Sequence, residues 1–195
     1  EAKTVDDATL GEIRSLLDAP RCVALGEIGL DYHYDFSPRE IQRDVFAAQL
    51  AIAAERTRPV VIHTREAFDD TMEILRASGV DKTAVLFHSF TGNASDAQQV
   101  IDLGCSISYS GIMTFKNAED IRAAAKLTPL DKLMIETDAP FLSPEPVRNI
   151  NPNVPAHVMH VAMRLAEVRE TSLEEIGLAT TANAERFFHL PAMHE

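Results

Sequence analysis

Four side chains in this sequence have the types and spacing of a metal centre: Glu27, His63, His88 and Asp138. Each stands at or just after the end of a short strand-like run, in CVALGE, PVVIH, AVLFH and KLMIET, the last followed by Asp138. A carboxylate at the end of an apolar strand is costly to bury unless a cation neutralises it. Two neutral imidazoles and two carboxylates make a borderline-hard nitrogen and oxygen set suited to Zn2+, Mn2+ or Mg2+. Because the set contains no cysteine, soft metals and iron–sulfur clusters are disfavoured. One carboxylate can bridge two ions, which is the task expected of Glu27. Singly, each residue has a plainer reading: a hydrogen-bonded strand-end His, an Asp138 that caps a turn before Pro140, a Glu27 paired with Arg65. Four equivalent strand ends taken together point to chemistry.

The elements that must position these residues can be read from periodicity. Apolar runs predict strands at 22–27, 59–63, 84–88, 105–109 and 132–137, several of them apolar at consecutive positions, as in parallel strands buried on both faces. Between them the pattern predicts helices over 38–56, 66–78, 94–103 and 118–126, with two more near 155–169 and 172–188. Ser37 is the expected N-cap of the first, with Pro38 at its first position. Ser172 is expected to cap the last, with Glu175 completing a capping box. Strict alternation of strand and helix predicts a parallel α/β architecture, with the metal-binding residues separated by one, one and two βα units of about 30 residues. They would then share one C-terminal sheet edge, where a (β/α)8 barrel gathers its site.

The chain has 195 residues, 46% of them hydrophobic, enough for the core of one domain spanning 1–195. Its 18 basic and 30 acidic residues give a formal net charge of −12. That balance repels polyanions at long range and argues against a tight duplex-binding module, while bound cations could still make a local site for one. No apolar run approaches the roughly 20 residues needed to span a bilayer, and the first residues lack the regions of a signal peptide, so a soluble, cytoplasmic protein is expected. Cys22 and Cys105 open apolar runs and are expected to be buried thiols. His33 is a candidate to face the site; His157, His160, His189 and His194 are assigned no role.

GEIGLDYH, VVIHTREAFDD, LFHSFTG, ETDAPFLSPEPVR and TTANAERFF, read together, resemble the TatD family of metal-dependent deoxyribonucleases, within the amidohydrolase-like barrels. The resemblance runs from about residue 20 to residue 190, and GEIGLDY and ETDAP are its specific parts. It implies a (β/α)8 TIM barrel with two divalent ions, Mg2+, Mn2+ or Zn2+, at its C-terminal mouth. The family's bridging Glu falls on Glu27, its two strand-end His ligands on His63 and His88, and its Asp, a ligand and general base, on Asp138. Arg65 and Arg148 fall at phosphate-facing positions. Family members also begin with a strand ending in His-x-His, followed by two more strands. The chain starts after that point, so it is expected to be N-terminally truncated, carrying about the last five βα units. The stretch PEPVRNINPNVPAH departs from the family's Arg-Gly-Lys-x-Asn-Glu-Pro pattern, lacking its Gly and Lys.

The implied activity is hydrolysis of DNA phosphodiesters from single-stranded ends, with a metal-activated water and Asp138 orienting or deprotonating it. DNA is the expected partner; no membrane and no obligate protein partner are expected. Two alternatives stay open. One is a carbon-centred ester, lactone or amide hydrolase, or a deacylase of mis-charged transfer RNA, on the same scaffold. The other is an inactive scaffold lacking the His-x-His half of the site.

Overall fold

Strand and helix alternate along the chain as the hydrophobic periods require. The computed structural model describes residues 2–34 and 36–191, which fall into two compact units, Glu1–Phe87 and His88–Glu195.

The first unit opens with helix α1, Asp7–Leu17, which the sequence reading did not anticipate. Its signals are weak: Leu17 is its one buried residue, and its start is fixed locally, by Asp6 accepting a hydrogen bond from the Thr9 backbone N–H at 2.8 Å. Strand β1 is Leu25–Asp31, and helix α2, Arg39–Arg56, follows. Phe46, Leu50 and Ala53 stand three and four residues apart on the face of α2 that is buried, with Gln42 extending it by one turn. Ser37 is not the cap of α2. Pro38 takes that position without a side-chain bond, and the Ser37 hydroxyl accepts from the Lys3 backbone N–H at 3.1 Å. Strand β2, Val60–Arg65, precedes helix α3, Phe68–Ala77, and strand β3, Val85–Phe87, closes the unit. The three strands are parallel in sequence order, with β2 between β1 and β3. Leu30, Val60, Ile62, Val85 and Phe87 are fully buried, the expected state of parallel strands.

In the second unit helix α4, Ala94–Asp102, starts at a capping box: Asn93 accepts from the Ser95 and Asp96 N–H groups and Asp96 answers the Asn93 N–H. Strand β4, Ser106–Tyr109, helix α5, Glu119–Leu127, and strand β5, Leu133–Ile135, follow, with β4 and β5 parallel. A long segment then leads through a 3-10 turn, Pro155–His157, into helix α6, Val158–Arg169, and helix α7, Leu173–Phe187. Ser172 caps α7 as expected, accepting from the Glu175 N–H at 3.0 Å. The Glu175 carboxylate bonds the Thr171 hydroxyl. Asn183 of α7 is buried and donates to the carbonyls of Leu130 and Leu133, both at 2.7 Å, tying this helix to the start of β5.

Strand and helix alternation and the parallel pairings are those of successive βα units of a (β/α)8 barrel. Cys105 is buried as expected, while Cys22 is partly exposed; neither is in a disulfide. No helix among the described residues is long and apolar enough to cross a membrane.

Candidate metal centre

Glu27 was expected at the end of a strand, buried. In the structure β1 continues four residues beyond it, and Glu27 is exposed. The cause is a break in the β1–β2 register between Leu25 and Ile28, which lets Leu25, Ile28 and Leu30 face the core while the Glu27 side chain stays outside it. Its charge therefore needs no burial, and the desolvation problem raised by the sequence does not arise.

What lets β1 run on is Gly29. Its φ is +140°, and a Cβ there would lie 1.9 Å from the His63 carbonyl oxygen, so only glycine lets the two strands approach at the level of His63. His63 lies inside β2, paired with Gly29. His88 is the residue bonded to Phe87, the last of β3, and its side chain is only 5% exposed. Glu27, His63 and His88 each offer a ligand atom, and these atoms all lie within 4.8 Å of one another. One carboxylate and two imidazoles at that spacing are a donor set that fits a divalent ion with nitrogen and oxygen preference.

Two further carboxylates address these imidazoles, and sequence reading missed both. Asp31 Oδ2 lies 3.1 Å from His63 Nε2, and Oδ1 accepts from the backbone N–H groups of His33 and Tyr34. Burial pushes the Asp31 carboxyl up, but the Tyr34 and His33 N–H groups and the His63 ring outweigh it and hold it below the ordinary aspartate value. Glu136, one residue after β5, has Oε1 at 3.5 Å from His88 Nδ1 and accepts from the Ser108 hydroxyl at 2.7 Å and from the Ser89 N–H. Burial pushes Glu136 up more strongly, yet His88, Ser108 and Ser89 together bring it below the ordinary glutamate value. Each is a carboxylate that fixes the orientation of an imidazole. The available signal was the two-residue period: Asp31 lies four residues after Glu27 in one strand, and Glu136 lies two before Asp138.

Asp138 is not in the group formed by Glu27, His63 and His88 among the described residues. It sits in the second unit just beyond β5 with φ of 54°, a left-handed conformation uncommon for a residue with a side chain. Buried Asn153 braces the segment on either side of it, donating to the Thr137 carbonyl at 2.7 Å and the Phe141 carbonyl at 2.6 Å. Its own oxygen accepts from the Val154 N–H at 2.9 Å. At Gly111 a Cβ would meet the Leu142 carbonyl oxygen at 2.0 Å, so the same segment also presses closely on the turn after β4.

The two arginines are held by aromatic faces. The Arg65 guanidinium lies 4.8 Å from the centre of the Tyr34 ring and that of Arg148 lies 3.4 Å from the Phe115 ring. Stacking fixes the plane of the guanidinium without consuming its in-plane donors. His33 Nδ1 lies 2.7 Å from the Glu66 carboxylate at the surface, and His157 Nδ1 lies 2.8 Å from Asn153 Oδ1. His194 lies outside the described residues.

Comparisons with known proteins give the family. The sequence profile described as TatD related DNase matches residues 1–189. The uncharacterized metal-dependent hydrolase YabD of Bacillus subtilis is 40% identical over 190 residues, covering 97% of this chain and 74% of that one. The 3'-5' ssDNA/RNA exonuclease TatD of Erwinia tasmaniensis is 36% identical over 186 residues, covering 93% of this chain and 72% of that one. The crystal structure of YJJV, a TatD homolog from Escherichia coli, superposes with a TM-score of 0.90 at 29% identity, covering 97% of this chain and 73% of that one. A profile match along almost the whole chain and relatives of this identity leave one assignment: the chain belongs to the TatD-related DNase family of metal-dependent hydrolases.

Proposed function

We propose that this protein is a metal-dependent phosphodiesterase that cleaves DNA from single-stranded ends. The observation that carries the reading is the meeting of Glu27, His63 and His88 within 4.8 Å. The exonuclease name of the Erwinia relative supports the substrate class. Two divalent ions, Mg2+, Mn2+ or Zn2+, would be held by Glu27, His63, His88 and Asp138. Such ions, when bound, acidify water and polarise a phosphoryl oxygen.

The chain's own residues do the rest. Asp31 and Glu136 orient the two imidazoles, each through a ring nitrogen. Asp138 orients the attacking water and takes its proton on the carboxylate as the oxygen closes on phosphorus. The phosphorus–oxygen bond on the far side breaks, and the leaving alkoxide is protonated from solvent. Arg65 and Arg148, planar and pre-set by their aromatic partners, meet phosphate oxygens through their N–H edges.

The test is cleavage of a short end-labelled single-stranded oligonucleotide beside a panel of esters and lactones. The proposal expects chelator-sensitive release of nucleotides, abolished by Asp138→Asn, and a kcat/KM for the oligonucleotide far above that for the esters and lactones. Chelator-resistant cleavage, or a preference for the carbon esters, contradicts it.

A further inference from the structure

Building on that reading, the site also carries a feature that its hydrolytic residues do not use. A cavity of about 310 Å³ in the first unit is lined at one part by Glu27, Asp31 and His63 and at another by Tyr34 and Phe36. Tyr34 and Phe36 are stacked, with ring centres 5.3 Å apart and planes within 5° of parallel. Both residues are more than half exposed, Tyr34 at 53% and Phe36 at 61%. Arg65 lies over the Tyr34 ring, so guanidinium and rings form one assembled aromatic and cationic shelf beside the metal-binding residues.

We propose that this shelf is a nucleobase platform: a base next to the phosphate being cleaved stacks on Phe36, with Tyr34 and Arg65 backing it. Charge leads to the same place. At a formal net charge of −12 the protein cannot hold a polyanion by long-range attraction. Its grip on a single strand must come from short-range contacts, and stacking is the one that every base offers and that an acidic surface does not oppose. Two aromatic side chains left stacked in water expose apolar surface at a cost, and that cost is recovered when a third planar group covers them. Duplex DNA keeps its bases stacked on one another, so the shelf selects for unpaired bases.

The test is equilibrium binding of fluorescein-labelled, phosphorothioate-linked dT8 to the intact protein in Mg2+, compared with an abasic strand of the same length. Wild type is expected to prefer dT8 to the abasic strand. Phe36→Ala is expected to weaken dT8 binding by roughly 5- to 100-fold, the range for one base–aromatic stack, and to leave abasic binding unchanged. Phe36→Trp should restore the preference. Because Phe36 is exposed, thermal melting of both variants should match wild type. If dT8 binds wild type and Phe36→Ala equally, the platform is overturned while the nuclease reading stands. If neither dT8 nor the abasic strand binds wild type, both fall.

Discussion

Replacing Glu136 tests whether the carboxylate behind His88 tunes the centre. Three contacts run through one of its oxygens: Oε1 faces His88 Nδ1 at 3.5 Å, the Ser108 hydroxyl at 2.7 Å and the Ser89 N–H. Gln can place its amide oxygen in the same position and keep every acceptor contact, so Glu136→Gln removes the charge alone. Each charge-assisted bond then drops to an ordinary one, a loss of about 1 kcal/mol where the group is dry. Since the Glu136 side chain is 30% exposed, water offsets part of this, and the variant should lose no more than about 1 kcal/mol of folding stability. Glu136→Ala removes the acceptor altogether. It takes this acceptor from the Ser108 hydroxyl and from the His88 ring, whose side chain is only 5% exposed, and leaves the Ser89 N–H with the Ser108 hydroxyl at 3.3 Å, for a loss of about 2 kcal/mol. Metal affinity should respond more sharply, falling by about 10- to 100-fold in Glu136→Gln, as when an outer-shell partner of a His ligand is lost. Isothermal titration with Mn2+ or Zn2+ gives the affinity, and urea unfolding in EDTA gives the stability without the metal. A Glu136→Gln protein that folds as wild type and binds metal within twofold of it refutes the claim that Glu136 prepares His88.

Gly29→Ala puts a Cβ at 1.9 Å from the His63 carbonyl oxygen at a φ of +140°; combined strain and overpacking should cost about 3 kcal/mol or more, seen as a large fall in Tm or loss of soluble protein. Asn183→Ala leaves the Leu130 and Leu133 carbonyls without their donor and should cost about 2 to 4 kcal/mol in urea unfolding, with metal affinity unchanged. Asp70 is held below the ordinary aspartate value of 3.8, first by the Tyr32 hydroxyl at 2.5 Å and then by Arg43 at 2.6 Å. A lowered folded-state pKa stabilises the fold above that ordinary value, and the stabilisation is lost as pH falls through the folded-state pKa. The stability gap between wild type and Asp70→Asn should therefore be level from pH 5 to 8 and shrink below about 3.8 in pH-dependent unfolding.

The candidate ligand residues could be picked out in the sequence because strand ends recur at the βα period and short apolar runs mark them; β2 and β3 appear within two residues of where VVIH and VLFH place them. β1 was cut short at Glu27 because the apolar run CVALGE ends there; the strand goes on because Gly29 allows a close approach of two strands, a fact of pairing that no single strand records. Helix α1 escaped because only Leu17 is buried on it, leaving almost no apolar period to detect. The partners of the imidazoles, Asp31 and Glu136, were passed over because each lies close to a more conspicuous candidate in the same motif. Choosing between such neighbours needs strand register and side-chain direction. Asn153, in a stretch that departs from the family pattern, shows its purpose only once three carbonyl and N–H groups of the 137–154 segment converge on it. The aromatic shelf depends on ring planes in a loop, where no period exists to read.

The central claim is that Glu27, His63 and His88 together hold divalent metal. Its most direct test is the metal content of purified wild type and Glu27→Gln, measured by plasma mass spectrometry after equilibration with Mn2+ or Zn2+, alongside oligonucleotide cleavage. The account predicts that wild type retains metal and that Glu27→Gln loses metal and activity together while keeping its fold. Full metal content and an unchanged rate in Glu27→Gln would contradict it.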